Sequence, residues 1–195
     1  MRSSSFGQGQ IAPLDAVIAK FRSQKVVGHI PKGATVLDLG CGFNASLLQS
    51  ISHSIQKGVG IDLEINKNLK NKKVSLLGGR VDGKLRLKSN SFDIVLALAV
   101  VEHVQYPQKL LKEAFRVLKP GGGFLLTTPS RSSKPLLEFL AFKLGVIDHD
   151  EIGDHKRYYE QETLKPALIK AGFNKSKIRI KNFEFGLNIF AEAIK

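Results

Sequence analysis

The sequence predicts an α/β fold built on one doubly wound, mainly parallel sheet. Short apolar strand patterns alternate with helix patterns along most of the chain. Such alternation with short loops is typical of doubly wound sheets. The clearest strand, 92–98, is apolar at every position except Asp93. A strand without polar–apolar alternation is buried on both faces, as in a parallel sheet.

The elements follow from local patterns along the chain. Residues Leu14, Val17, Ile18 and Phe21 fall on one face of a first helix. A later helix pattern ends at Pro120 and the glycines after it, which cannot continue a helix. Strands are predicted at 36–39, 58–62, 74–77, 92–98, 124–128, 178–180 and 187–194, and the remaining helices at 45–55, 108–119, 135–147 and 163–171.

The composition indicates one globular domain. The chain has 195 residues, of which 43% are hydrophobic, enough for a substantial core. We expect a mobile arm at 1–12 and a single domain at 13–195. The one cysteine, Cys41, excludes an intrachain disulfide. No signal-peptide pattern is present, and the longest apolar run, Ile94–Val101, is too short to span a membrane. We therefore expect a cytoplasmic protein.

A glycine-rich turn follows the first predicted strand. Gly40 and Gly42 allow a tight turn and a close approach of the backbone to a ligand. With Ala45 they satisfy the dinucleotide-binding pattern G-x-G-x-x-G/A, and Asp62 lies at roughly the spacing of the ribose-binding acid of that pattern. NAD and other adenosine-containing cofactors are both compatible with this pattern.

Asp38 favours one kind of cofactor over the other. A carboxylate inside an apolar strand is costly unless it is paired or hydrogen-bonded. A nearby pyrophosphate would increase that cost, whereas a cationic group such as the ammonium or sulfonium of S-adenosylmethionine would reduce it. The structural alternative is a carboxylate that accepts backbone N–H groups of the following loop.

The segment from Val36 to Gly42 resembles motif I of the class I S-adenosylmethionine-dependent methyltransferases, and most closely their small type 11/12 domains. Four later segments resemble further family motifs in the same order. They are 58–62, 91–95 with 102–104, 118–122, and 171–173. The resemblance implies a seven-stranded sheet of order 3-2-1-4-5-7-6, with strand 7 antiparallel and helices on both faces. It also implies S-adenosylmethionine as the cofactor and S-adenosylhomocysteine as the product.

The resemblance assigns the cofactor site residue by residue. The implied cofactor-binding residues are Asp38, Gly40, Cys41, Gly42, Asn44, Asp62, Leu63, Asp82, Ala97 and Leu98. Asp38 and Gly40 would border the methionine part, and Asp62 would accept hydrogen bonds from the ribose hydroxyls. Leu63 would flank the adenine and Asp82 would lie near its amino group. Ala97 and Leu98 would line the methyl-donor pocket. Asn44 replaces the third glycine of the family motif, and asparagine tolerates a positive φ better than most residues.

The candidates on the acceptor side are less specific. We predict His103, just past the fourth strand, as a proton acceptor, although a histidine there can also cap a helix. His155 and Tyr158 lie in a polar cluster, 148–159, which has two interpretations: its acids and bases pair around a loop, or side chains such as these two close over the substrate. We expect no metal there, since no fixed ligand spacing is present. The apolar helix 135–147 is interpreted as core or a dimer face, with a lid over an apolar substrate or a membrane-surface contact as alternatives.

The charge is concentrated in two stretches. The chain carries 30 Lys and Arg against 17 Asp and Glu, a net charge of +13. Cations cluster at 67–88 and again at 175–181, where alternation predicts one basic strand face. Such charge can attract phosphates, but tryptophan is absent and the fourth strand ends without the N/D-P-P-Y/F motif of base-amino methyltransferases.

The sequence therefore predicts a methyltransferase that acts on a small molecule, anionic or partly apolar. An RNA methyltransferase, a non-catalytic S-adenosylmethionine-binding module and an NAD enzyme are the alternatives.

Overall fold

A computed structural model describes residues 6–7, 13–142, 153 and 156–195. It contains one seven-stranded sheet of order β3-β2-β1-β4-β5-β7-β6. Neighbouring strands from β3 to β5 pair in parallel, and β7 pairs antiparallel with both β5 and β6. The predicted fold class and strand order are confirmed.

The helices and strands lie close to their predicted positions. The strands are β1 (Thr35–Leu39), β2 (Lys57–Asp62), β3 (Val74–Gly78), β4 (Phe92–Leu98), β5 (Leu118–Pro129), β6 (Ile178–Phe183) and β7 (Asn188–Ile194). The described helices are α1 (Pro13–Val27), α2 (Ser46–Ile51), α3 (Pro107–Val117), α4 (Lys134–Phe142) and α5 (Gln161–Ala171).

Alternating side chains divide the core between the two faces of the sheet. Leu37 and Leu39 of β1 pack on one face, together with α3 and α5. Val36 packs on the other face, with the apolar side of α2 and the end of α1. Successive strand residues point to opposite faces. Asp38 therefore lies on the same side of the sheet as α1 and α2.

Two elements, α2 and β5, have boundaries that differ from the sequence prediction by four or more residues. α2 ends at Ile51 instead of residue 55, and the hydroxyls of Ser52 and Ser54 donate to backbone carbonyls of the preceding turn. Serine hydroxyls compete with helical hydrogen bonding in this way. β5 starts at Leu118 because the chain pairs with β4 on both sides of the glycine turn, with an irregularity in the register. A Cβ at Gly122 would lie 2.9 Å from the carbonyl oxygen of Asp93, so this close pairing needs glycine.

The two basic stretches lie at opposite ends of the sheet. The cations of 67–73 precede β3, one edge strand, and Arg179 and Lys181 lie on β6, the other edge strand. Seven strands at about 4.8 Å separation place the two edges about 29 Å apart. Lys175 and Lys177 form a 3-10 turn before β6, so the predicted alternation of four cations along one strand is wrong.

Some predictions fall on residues outside the described part of the chain. Of the predicted arm, only Phe6 and Gly7 are described, and the carbonyl of Phe6 accepts a hydrogen bond from the amide of Phe43 at 2.8 Å. The end of the predicted helix 135–147 and most of the polar cluster before residue 156 lie outside the described residues. The division into an arm and one domain stays a prediction. None of the described helices is long and apolar enough to cross a bilayer.

Candidate cofactor site

A cleft opens at the carboxyl ends of β1, β2 and β4. In the strand order, β2 and β3 lie to one side of β1, and β4 and β5 lie to its other side. The direction in which strands are added thus reverses between β1 and β4. In doubly wound sheets this reversal between two neighbouring strands is where ligands bind. The walls of the cleft come from the glycine loop after β1, the end of β4, the loop after β3 and the inner side of α1.

Glycine is required by the loop after β1. Gly40 and Gly42 have φ values of 76° and 74°, in the left-handed region that favours glycine. A Cβ at Gly40 would lie 2.4 Å from a methyl group of Val100, so the exit of β4 packs directly against this turn. The amides of Gly40 and Cys41 both donate to the carbonyl of Ile61, which ties the turn to β2.

The residue that replaces the third glycine has a different role from the one expected. Ala45, not Asn44, takes the left-handed conformation, with φ 46° and ψ 48°. The side-chain oxygen of Asn44 instead accepts a hydrogen bond from the Asn66 amide group at 2.9 Å. The backbone amide of Asn66 donates to the carbonyl of Phe43 at 2.8 Å. Asn44 therefore links the glycine loop to the loop after β2.

Asp38 is a buried carboxylate that faces the cleft. Asp38 is 3% exposed, and its side-chain oxygens accept no hydrogen bond from any residue in the described part of the chain. Burial, with a further contribution from the negative charge of Asp62, raises the pKa of Asp38 to about 7. The structural alternative, a carboxylate satisfied by loop amides, is therefore wrong within the described residues. A cationic ligand group would supply the missing partner.

Asp62 ends β2 and holds the glycine loop from the opposite side. One carboxylate oxygen accepts a hydrogen bond from the backbone amide of Gly42 at 2.7 Å, and the other accepts one from the backbone amide of Leu63 at 2.8 Å. Both Asp62 and Leu63 line the cleft. Each carboxylate oxygen can accept more than one hydrogen bond. The assigned contact with ribose hydroxyls is thus compatible with this geometry and stays a prediction.

Asp82 lines the cleft, but its carboxylate is already strongly engaged. Arg80 binds it through two nitrogens, at 3.0 and 2.9 Å, and the amides of Gln105 and Tyr106 donate to it at 3.0 and 3.3 Å. Burial alone would raise the pKa of Asp82, yet these hydrogen bonds hold it below its usual value. Asp82 thus fixes the loop after β3 to the start of α3. Its role near an adenine amino group stays a prediction.

The end of β4 contributes different side chains from those expected. Leu98 lines the cleft, as do Ala99 and Val100. Ala97 is fully buried in the core on the α3 side, so the assignment of its side chain to the methyl-donor pocket is wrong. Alternation along the strand sends Leu98 to the cleft and Ala97 away from it. Cys41 also lines the cleft, and burial raises the pKa of its thiol, so it remains protonated.

The structure brings one of the three acceptor-side candidates to the cleft. His103 is 8% exposed and lines it. Tyr158 is half-buried, with its ring centre 5.8 Å from the Lys134 ammonium, and it is not among the residues that line the cleft. His155 lies outside the described residues. The catalytic roles of all three stay predictions. No three His, Cys, Asp or Glu side chains form a metal site within the described ranges.

Sequence reasoning missed one wall of the cleft. Ala19, Arg22 and Ser23 of α1 line it, and so do Phe6 and Gly7. The apolar spacing of α1 predicted a core-facing side, but Val17 and Phe21 on that side are 47% and 53% exposed, and the spacing gave no sign of the side that faces the cleft. A cation such as Arg22 on a helix carries no local signal that it faces a ligand, because that depends on where the helix docks.

The sheet order, the glycine loop and the buried Asp38 beside Asp62 define a class I methyltransferase domain. The residues present fit S-adenosylmethionine, since a carboxylate with no hydrogen bond in the described chain faces the cleft where a cation is needed. The chain belongs to a methyltransferase domain family, whose model matches residues 12–177. The cofactor of that class is S-adenosylmethionine.

Relatives and solved structures agree with this assignment. The chain is 25% identical over 178 residues to a mitochondrial ubiquinone biosynthesis O-methyltransferase of Dictyostelium discoideum, covering 80% of this chain and 53% of that protein. It is 28% identical over 160 residues to a probable S-adenosylmethionine-dependent methyltransferase of Mycolicibacterium smegmatis, covering 74% and 61%. The chain thus spans little more than half the length of these relatives.

The fold is also found among solved structures. A methyltransferase of Archaeoglobus fulgidus described as S-adenosylmethionine-dependent superposes with a TM-score of 0.68 at 18% identity, covering 92% of this chain and 94% of that one. At this identity the similarity supports the fold alone.

Proposed function

We propose that this protein transfers a methyl group from S-adenosylmethionine to a small-molecule acceptor, through one domain formed by residues 13–195. The observation that carries the proposal is Asp38, buried to 3% exposure at the wall of the cleft with no hydrogen bond from a described residue. A buried carboxylate in that state is costly, and a cationic ligand offsets the cost. A dinucleotide would bring a pyrophosphate toward this carboxylate, which disfavours an NAD enzyme.

The chain's own residues have separate tasks in this proposal. When bound, S-adenosylmethionine supplies a methyl group already activated on a sulfonium. Asp38 stabilises the positive charge of the methionine part. Asp62 accepts hydrogen bonds from the ribose hydroxyls and, at the same time, from the backbone amide of Gly42. Holding the acceptor in line and close accounts for much of the rate. His103, on the wall of the cleft, accepts a proton where the acceptor must lose one.

A small molecule is favoured over RNA as the acceptor. The cations of 67–73 and those of 175–181 lie at opposite edges of the sheet, and Arg80, which lines the cleft, is engaged by Asp82. Phosphate contacts by Lys and Arg supply most of the affinity for nucleic acid, so cations split between two distant edges favour an RNA site at the cleft less. The ubiquinone biosynthesis relatives are named for small-molecule methylation, which supports the same class of acceptor.

Two measurements test the proposal together. Calorimetric titration with S-adenosylhomocysteine should give saturable binding to the wild-type protein, and Asp62→Ala should weaken it about tenfold or more because ribose hydrogen bonds are lost. Glu64→Ala is a matched control, since Glu64 is an exposed acid near the same strand end. Labelled S-adenosylmethionine should then transfer its methyl group to a fraction of a small-metabolite extract. Absence of binding at millimolar ligand, or incorporation only into RNA, would contradict the proposal.

A further inference from the structure

The cleft wall formed by α1 carries a cation, Arg22, that lies within ion-pair distance of no described carboxylate. Among the described residues, the Lys and Arg side chains that line the cleft are Arg22 and Arg80. Arg80 is neutralised by Asp82 through two hydrogen bonds. Arg22 makes no ion pair with any residue that the structure describes, and its Nε atom is buried with no hydrogen-bond partner there. An unpartnered buried donor on a charged group is costly unless a ligand completes it.

A short polar chain holds Arg22 in place. Its Nη2 atom lies 3.5 Å from the side-chain oxygen of Asn188, a long hydrogen bond. Asn188 is 6% exposed and donates through its amide group to Glu184. Burial raises the pKa of Glu184, and the positive charge of Arg22 only partly offsets this effect. This polar chain therefore positions the guanidinium through Asn188, and no described carboxylate forms an ion pair with it.

The position of Arg22 relates it to the acceptor side of the cleft. Asn188 starts β7 and pairs with Pro129 at the carboxyl end of β5. The glycine loop and Asp38 belong to β1, on the other side of β4. Two strand spacings, about 10 Å, separate the ends of β4 and β7. A ligand that extends from the end of β4 toward β7 would meet the guanidinium of Arg22 after it has passed Leu98.

We propose that Arg22 binds an anionic group, a carboxylate or a phosphate, on the methyl acceptor. A guanidinium forms short, charge-assisted and often paired hydrogen bonds with such groups. The inference rests on the proposed function for the identity of the ligand as an acceptor. The carboxylate of S-adenosylmethionine is another anion that Arg22 could bind in the same way. The experiment distinguishes an anion on the acceptor from this carboxylate of the cofactor.

The first arm of the experiment measures anion binding. Protein saturated with S-adenosylhomocysteine is titrated with benzoate, phenyl phosphate and neutral benzamide. Both anions should bind about tenfold more tightly than benzamide, and Arg22→Gln should remove this preference. Arg22→Lys should keep part of it, because the charge remains while the paired donors are lost. The control is Lys20→Gln, an exposed cation on the same helix that does not line the cleft.

The second arm distinguishes the two sources. We expect the affinity for S-adenosylhomocysteine to change less than about threefold in Arg22→Gln, whose folding is checked by its thermal transition. A loss of about tenfold for S-adenosylhomocysteine, with unchanged binding of 5′-methylthioadenosine, would assign Arg22 to the cofactor carboxylate and overturn the inference. Equal affinity of the wild-type protein for benzamide and the anions would also overturn it. Arg22-dependent anion binding by a protein that does not bind S-adenosylhomocysteine would contradict the proposed function and leave the anion site standing.

Discussion

Replacing Asp38 with asparagine should remove a specific dependence of cofactor binding on pH. Folding raises the pKa of this carboxyl group from 3.8 to about 7, chiefly through burial. A difference of about 3 pKa units corresponds to about 4 kcal/mol, as an upper estimate. Because the raised pKa means that the folded state holds the proton more tightly, Asp38 destabilises the ligand-free protein progressively as the pH rises from about 4 to 7.

Binding of a cationic ligand has the opposite dependence on pH: it becomes stronger as the pH rises, because the ligand binds the ionised form of Asp38. At about pH 6 roughly one tenth of Asp38 is ionised, and at about pH 8 roughly nine tenths. The dissociation constant of S-adenosylhomocysteine should therefore be about tenfold lower at the higher pH. At pH 8, Asp38→Asn should bind S-adenosylhomocysteine more weakly than the wild-type protein does, and its affinity should change little between the two pH values. Without ligand, the variant should be more stable than the wild-type protein at pH 8 by up to about 4 kcal/mol.

Calorimetry at the two pH values, with denaturant unfolding of the ligand-free proteins, checks these expectations. Asp93→Asn is a suitable control because Asp93 is also in a strand but bonds Thr35 and Lys119 away from the cleft. Equal affinity of the wild-type protein at both pH values would refute the reasoning. A pH dependence that persists in Asp38→Asn would show that a group other than Asp38 controls binding.

Three further predictions concern stability. Gly40→Ala should lower the free energy of unfolding by about 2–3 kcal/mol, because φ is 76° and the new methyl would lie 2.4 Å from Val100. Gly83→Ala, with no atom within 4 Å, should be nearly neutral, and an equal loss in both variants would contradict the steric argument. Phe185→Asn should stabilise the protein by about 0.5–1 kcal/mol in the same unfolding assay, because Phe185 is fully exposed at φ 56°; a lower stability would reject this view. Asp82→Asn should cost about 2 kcal/mol at neutral pH. Folding lowers the pKa of Asp82, so the stability that its ionised form contributes is present above pH 3.8 and is lost as the pH falls through the pKa of the folded state. The destabilisation caused by Asp82→Asn should therefore shrink in acid. A destabilisation that does not depend on pH would contradict a contribution from the ion pair.

Much of the fold was predictable because it depends on local patterns. The strand at 92–98 was found to the residue, since a buried parallel strand is apolar on both faces. The order of the strands came from the resemblance, because pairing between distant segments has no local signal. The length of β5 was missed for a related reason. Its first residues pair with β4 across a turn of Pro120 and glycines, which by local rules ends an element.

The site was predictable where a residue type is rare in its setting. Asp38 stands out because a carboxylate in an apolar strand needs an explanation, and the structure leaves it without a hydrogen bond among the described residues. Ala45 and Ala97 show where the sequence gives less information. Which loop residue takes a positive φ, and which face a strand residue presents, depend on packing. Arg22 could not be found at all, because its position depends on the docking of α1.

The location of the positive charge has a consequence for association between copies of the protein. Lys72 and Lys73 stand immediately before β3, and Arg179 and Lys181 are exposed on β6, so both unpaired edges of the sheet carry cations. Two copies that extended the sheet edge to edge would bring like charges together, whichever edges met. Exposed basic residues on edge strands protect sheet proteins against aggregation in this way. These edge cations thus disfavour edge-to-edge association, and high salt, which shortens the range of the repulsion to about 3 Å at 1 M, should weaken that effect.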